Sequence, residues 1–183
     1  RWGGNPTGDG EVGPLLARAF PDRVAQASGA RGRFRLANGR AASLDETDAL
    51  SRHAYLVVTD ISGAAATGRI RAAAPLSRDD IEALFRDHIS TQTVLSWDNG
   101  ASAVRARRRR LYEALLLSDD PVPPPDPEAA ALLLAQHIAD RLPWSRDQRA
   151  LLARAKYLGI EIDLSPETLA AQLLGRTSLA EIS

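Results

Sequence analysis

Residues 33–44 read Arg-Phe-Arg-Leu-Ala-Asn-Gly-Arg-Ala-Ala-Ser-Leu. Phe34 to Ala37 and Ala41 to Leu44 have strand character. Asn38-Gly39 between them is the strongest short hairpin signal, because both residues tolerate the positive φ of a two-residue turn. Working outward, Tyr55 to Ile61 (YLVVTDI) is β-branched and apolar enough for a central strand. It turns at Ser62-Gly63 and returns from Gly68 to Ala73, where charged and apolar residues alternate. Ser77 then caps a short helix, with Asp79 and Asp80 in the first turn, where the helix dipole favours acids. That helix carries Ile81, Leu84 and Phe85 on one face. A second hairpin runs from Thr93 to Trp97, turns at Asp98-Asn99-Gly100 and returns through Val104. Residues 31 to about 117 therefore read as five or six short strands with one helix before the last hairpin. A small antiparallel barrel suits that pattern, since closure removes exposed strand edges.

The flanks differ in character. Residues 12–20 predict a short helix ending at Phe20-Pro21. Five prolines in the nine residues 119–127 (DDPVPPPDP) favour an extended, stiff connector over helix or central strand. Beyond it the pattern is helical. A first helix spans Glu128 to Asp140 with Leu132, Leu133 and Leu134. Ser145 caps a second that runs to about Leu158 on a stripe of Leu151, Leu152, Ala155 and Leu158. Ser165-Pro166-Glu167 starts a third, with proline where its missing N–H costs nothing. The chain reads as α+β, in two domains.

Composition narrows the function classes. The 183 residues carry 23 basic and 23 acidic side chains, so bulk charge attracts neither nucleic acid nor an anionic membrane. The absence of cysteine excludes disulfides, zinc-thiolate sites and thiol catalysis. No apolar run approaches the roughly 18 residues needed to cross a bilayer, and no signal peptide is evident, so no membrane partner and a cytoplasmic setting are expected. There is no methionine, even at position 1, and the sequence reads as part of something longer.

Most short motifs yield to plain explanations. Gly8-Asp9-Gly10-Glu11-Val12-Gly13 matches the glycine pattern of dinucleotide-binding turns. That chemistry needs a strand before the glycines, and Asp9 and Glu11 repel phosphate, so a terminal loop is expected. No G-x-x-x-x-G-K-[ST] loop and no G-x-S-x-G elbow occur. His53, His88 and His137 lack metal-ligand spacing, so no metal site and no catalytic residue are expected. Paired acids such as Asp79-Asp80 and Asp119-Asp120 serve as helix-start and connector residues.

Arginine carries the stronger signal: it supplies every basic residue except Lys156. Arg31, Arg33, Arg35 and Arg40 crowd the first hairpin. Arg69 and Arg71 lie two apart on a predicted strand, hence on one face. Arg105, Arg107, Arg108, Arg109 and Arg110 form a run with no acid between Asp98 and Glu113. Three such hairpins on a small barrel can converge into a groove offering bidentate contacts to phosphate. The competing reading is a solvated face. Phe34, Tyr55, Trp97 and Tyr112 read as core residues.

In their order, these features resemble the region after the motor of HrpB-type ATP-dependent helicases, in the DEAH/RHA branch of RNA helicases. The resemblance runs from Leu15-Leu16-Ala17-Arg18-Ala19-Phe20-Pro21-Asp22-Arg23 through the Arg33–Arg40 hairpin, Tyr55–Asp60 and Arg69–Leu76. It continues over Arg105–Arg110, Pro125–Ala129 and Leu142-Pro143-Trp144-Ser145, ending near Asp163-Leu164-Ser165. It departs after Leu174, where the family has a longer segment before the stretch resembling Gly175–Ala180.

The resemblance implies a C-terminal fragment with four parts. Residues 1–28 form the tail of a helicase-associated helical region and 29–118 an OB-like β-barrel. Residues 119–127 form the proline-rich linker, and 128–183 the helical start of the family-specific C-terminal region. It also implies that ATP and Mg²⁺ belong to the parent's motor domains, with no cofactor in this chain. The function expected is an accessory module that contacts single-stranded RNA or DNA phosphates through the eleven arginines named above. The alternative is a platform that packs on the motor or on a partner protein through Leu132, Trp144 and their neighbours. An acid-lined arginine cluster favours the platform; an exposed one favours nucleic acid.

Overall fold

The Asn38-Gly39 hairpin forms at its expected place. In a computed structural model describing residues 9–63, 67–142 and 144–182, β2 (Arg33–Leu36) pairs antiparallel with β3 (Ala41–Ser43) in the register Phe34↔Ala42. Gly39 takes φ +84°, and Asn38 accepts the Arg40 amide on its side-chain oxygen. With β1 (Val24–Ala27), β4 (Tyr55–Ser62) and β5 (Thr67–Leu76), this hairpin closes a five-stranded barrel in the order β1-β2-β3-β5-β4. The fold class is thus the α+β, OB-like arrangement expected.

Its details differ from the expectation in three respects. The pairing of β3 with β5 is parallel, the other four being antiparallel. The ring is completed by β1, which lies within the stretch assigned to a helical tail. Four residues (VAQA) carry too short a pattern to announce a strand; pairing with β2 and β4 on either side supplies what local propensity lacks. The second hairpin, β6 (Ile89–Asp98) and β7 (Ala103–Tyr112), stays out of the barrel. It forms a three-stranded sheet with β8 (Leu115–Val122) in the order β6-β7-β8. β8 extends into the proline-rich stretch because it is an edge strand, where Pro121 forfeits no necessary ladder bond.

The chain divides into two units, Arg1–Gln92 with Arg109–Asp119, and Thr93–Arg108 with Asp120–Ser183. In the first, Phe34, Leu36, Ala42, Leu56, Val58 and Ile70 fill the barrel interior. A second cluster covers part of its outside. There Val24, Tyr55, Val57, Ala74 and Leu76 meet Ala17 of α1 (Asp9–Ala19), Ile81 and Phe85 of and beside α2 (Arg78–Leu84), and Tyr112, Leu115 and Leu117. Burial on both faces explains why Tyr55 to Val58 is apolar without alternation. Ser77 caps α2 through a full capping box with Asp80. Gln26 of β1 binds the Leu116 peptide with its amide, donating to the carbonyl at 2.7 Å and accepting the N–H at 3.1 Å.

Tyr112 is buried, stacks on Phe85 at 4.6 Å and donates its hydroxyl to the Pro21 carbonyl at 3.0 Å. Burial, with Glu113 and Asp22 adding to it, pushes the phenol up to about 12. The folded state therefore favours the neutral phenol, and its contribution is intact below the ordinary tyrosine value of about 10. Stability is expected to fall as pH rises from about 10 to 12. Urea midpoints across that interval check this. Tyr112→Phe should flatten the decline, and an unchanged slope in that variant refutes the assignment.

The second unit is built on Leu95, Trp97 and Val104, packed against α3 (Pro127–Ile138) and α5 (Pro166–Gln172) through Ala131, Leu134, Ile138, Leu169 and Leu173. Asp126 caps α3 with Pro127 in its first turn, and Ser165 caps α5. The residues after Leu174 return to β7: the Val104 amide donates to Thr177 at 2.7 Å and the Leu179 amide to Ser102 at 3.0 Å. Ser145 caps α4 (Arg146–Tyr157) as expected, but no residue of that helix is buried. Its stripe is open, with Leu151 61% and Leu158 70% exposed. No helix among the described residues is long and apolar enough to cross a membrane.

The glycine pattern at 8–13 reads differently in three dimensions. Gly8 lies outside the described residues, while Asp9 to Gly13 belong to α1 rather than to a loop.

Candidate nucleic-acid interface

Where helices and the β7–β8 segment leave the barrel uncovered, arginines stand. On β2 the burial alternates, Arg33 and Arg35 outward, Phe34 and Leu36 inward. On β5, Arg69 and Arg71 are exposed on either side of buried Ile70. The parallel β3–β5 pairing joins these two sets. Arg33 is opposite Ser43, Ser43 is opposite Arg69, and Arg69 is opposite Ser62, so the four residues form a row across β2, β3, β5 and β4. Strand spacing of roughly 4.8 Å puts the two arginine backbones about 10 Å apart. Between them β3 offers only the small side chains of Ala41 and Ser43 on that face.

Several contacts orient this surface. Arg71 donates from Nε to the Ser62 hydroxyl at 3.0 Å. Arg31 donates from Nε to the hydroxyl of Ser51 at 2.9 Å. Ser51 is 6% exposed and in turn donates its one hydroxyl proton to the Asp48 carbonyl at 2.6 Å, with the Glu46 carbonyl also near at 3.0 Å. Arg40 is exposed in the hairpin turn. No carboxylate pairs with Arg33, Arg35 or Arg40 among the described residues. Sequence reasoning did not find Ser43, Ser51 or Ser62, because nothing local to a serine indicates which strand lies opposite it.

The third arginine cluster behaves otherwise. Arg105 meets Asp98 at 3.5 Å, and Arg109 approaches Asp119 at 3.4 Å. Arg110 binds Glu82 at 2.9 Å, and Arg78 holds the same carboxylate at 2.8 Å. Arg78 first and Arg110 second keep Glu82 ionised below its ordinary range. Asp98 is likewise lowered, chiefly by the Ala101 amide, with Arg105 contributing. Arg108 is exposed and Arg107 half-buried. β7 pairs within the three-stranded sheet β6-β7-β8 and not within the barrel, so the single groove expected from three hairpins is not built by strand pairing. Arg33, Arg35, Arg69 and Arg71 are brought together; Arg105, Arg109 and Arg110 have carboxylate partners of their own.

The histidines do not assemble. His137 stacks on Trp97 at 4.8 Å, and no group of three His, Cys, Asp or Glu side chains suited to a metal occurs among the described residues.

The closed barrel with its arginine face and the helical unit are similar to part of solved helicase structures of the DExH-box and DEAH/RHA class. The particular proteins the chain is similar to are HrpB helicases, of which it spans a quarter or less. It is similar to the Escherichia coli DExH-box NTPase HrpB crystal structure, with 29% identity and a TM-score of 0.55 over 93% of this chain and 24% of that one. A second crystal structure, of the Escherichia coli DEAH/RHA helicase HrpB, gives 27% identity and a TM-score of 0.50, covering 92% of this chain and 24% of the other. In sequence, the chain is 36% identical over 100 residues to the ATP-dependent RNA helicase HrpB of Escherichia coli strain K12. That match covers 54% of this chain and spans 12% of the relative's length. No family model matches the chain.

Proposed function

We propose that the uncovered barrel face binds the phosphates of single-stranded RNA or DNA, as an accessory module of an ATP-dependent RNA helicase. The observation that carries this reading is the row of Arg33 and Arg69 across Ser43, flanked by exposed Arg35 and Arg71, with Asp45 near enough to Arg69 to feel its charge but no ion pair on these four arginines among the described residues. Guanidinium groups suit this role because each offers a planar fork to phosphate oxygens. Arg31 and Arg40 extend the surface at its ends. Arg105, Arg109 and Arg110 serve the fold through their acids. ATP and Mg²⁺ act in motor domains of the parent in a cytoplasmic setting. This sequence carries no G-x-x-x-x-G-K-[ST] loop to hold a nucleotide.

Four phosphate contacts to a single strand give a salt exponent of about −2.8, at roughly 0.7 ions per contact. Raising salt from about 50 to 200 mM should then weaken binding about 50-fold. Fluorescence anisotropy of a labelled oligoribonucleotide measures it, and binding without a salt slope, or no binding, refutes the reading.

The acid-paired arginines favour a second reading, in which the chain is a scaffold that packs on motor domains or a partner protein. The open stripe of α4 supports it. That reading expects no affinity for oligonucleotides and retention of the isolated motor by this chain.

A further inference from the structure

Helix α4 turns an apolar stripe to solvent. Leu151, Ala155 and Leu158 lie at i, i+4 and i+7, hence on one side of the helix, and no residue from Arg146 to Tyr157 is buried. A left-handed turn ends the helix. Gly159 takes φ +72°, its amide donates to the Lys156 carbonyl at 3.2 Å, and the Ile160 amide donates to the Ala155 carbonyl at 2.9 Å. The chain that follows lies beside α4, where Leu152 and Lys156 share a groove of about 910 Å³ with Ile160, Ile162 and Leu164. Ile160 is 57% exposed. Stripe and groove make one apolar patch, of the kind that marks an interaction site. A helix of 12 residues is only about 18 Å long, so the groove adds area that a stable contact needs.

Charge decides what this patch fits. Four cations and four carboxylates lie between residues 146 and 167, a balance that attracts neither an anionic membrane nor a strongly acidic partner. The charges are instead placed to match themselves. Asp147 is four residues before Leu151, and Arg154 is four before Leu158, so both flank the stripe on the same side, two turns apart. Both are exposed, and neither has an ion pair among the described residues. A second α4 laid antiparallel, about a two-fold axis near Leu151, sets Asp147 of each copy opposite Arg154 of the other. The symmetry makes that pair twice.

We propose that α4 packs antiparallel on α4 of a second copy of this chain, with Leu151 at the two-fold axis and reciprocal Asp147–Arg154 pairs beside it. Phosphate binding by the barrel does not depend on this pairing.

Equilibrium sedimentation of the full chain over about 1–300 µM, the range in which a small interface associates, tests it. The average mass should rise from 19.7 kDa toward twice that value. Asp147→Arg and Arg154→Asp, each alone, set like charges face to face and should weaken self-association about tenfold. An equimolar mixture of these two variants should dimerise at least as well as the wild type, because every facing pair is then opposite in sign. Leu151→Glu should abolish the dimer with an unchanged circular dichroism spectrum. A wild type that stays monomeric throughout overturns the proposal and leaves the stripe to a different protein. Single charge variants that dimerise undiminished, or a mixture no better than its components, overturn the antiparallel pairing.

Discussion

Replacing Arg33 and Arg69 together with glutamate is expected to lower affinity for a single-stranded oligoribonucleotide by about 100-fold at low salt. Each charge-assisted contact contributes about 1.5–3 kcal/mol, so the lower end of that range for two contacts already reaches this figure. The salt exponent should fall by about 1.4, the share of two contacts. Both side chains are exposed and neither has a bonded carboxylate partner, so the unfolding midpoint should hardly move. Arg110→Glu makes the informative contrast. It removes a 2.9 Å ion pair and sets a like charge against Glu82, so stability should fall while oligonucleotide affinity stays near that of the wild type. Anisotropy titrations and urea denaturation of the same two proteins separate these effects. Undiminished affinity in the double variant refutes the barrel-face assignment.

The contrast between these arginines also marks what the sequence could convey. The period-two placement of Arg69 and Arg71 around Ile70 is local information that puts this pair on one face, and Arg33 and Arg35 around Phe34 follow the same spacing. Their convergence is not local. It depends on β3 lying parallel to β5, a pairing between segments separated by the whole of β4, which no turn residue announces. Arg110 and Glu82 are 28 residues apart, so a run without nearby acids in sequence proved to be supplied with them in space.

The elements follow the same division. Asn38-Gly39, Ser77, Ser145 and Pro166 mark their turns and helix starts because capping and turn chemistry act within a few residues. β1 was hidden because four small or weakly patterned residues become a strand only by closing the ring. The second hairpin was correctly read as a hairpin and wrongly given to the barrel, since alternation identifies a strand without naming its partner.

Gly13 supplies the second large effect, and here two terms of opposite sign compete. Alanine in place of glycine within a helix ordinarily gains up to about 1 kcal/mol. At this position, however, a Cβ would sit 2.1 Å from the Pro75 carbonyl oxygen, a backbone atom of β5 that no rotamer can move. Relief requires lifting α1 away from β5, which also unseats Ala17, one turn further along and fully buried. Overpacking of this kind costs about 1–3 kcal/mol, and the depth of the overlap places it at the upper end. Gly13→Ala should therefore destabilise by about 2 kcal/mol net, and Gly13→Val by more, because valine forgoes the helix gain. Gly68→Ala is the matched control. Its Cβ would meet the Ile61 side chain at 2.5 Å, and a side-chain terminus can turn aside. Urea denaturation should rank the losses Gly13→Val, Gly13→Ala, Gly68→Ala. A stabilised Gly13→Ala would show that helix propensity prevails and that α1 does not approach β5 so closely. The last glycine of the phosphate-like pattern at residues 8–13 is thus required by the contact of a helix backbone with a strand backbone, a need that has no connection with nucleotide chemistry.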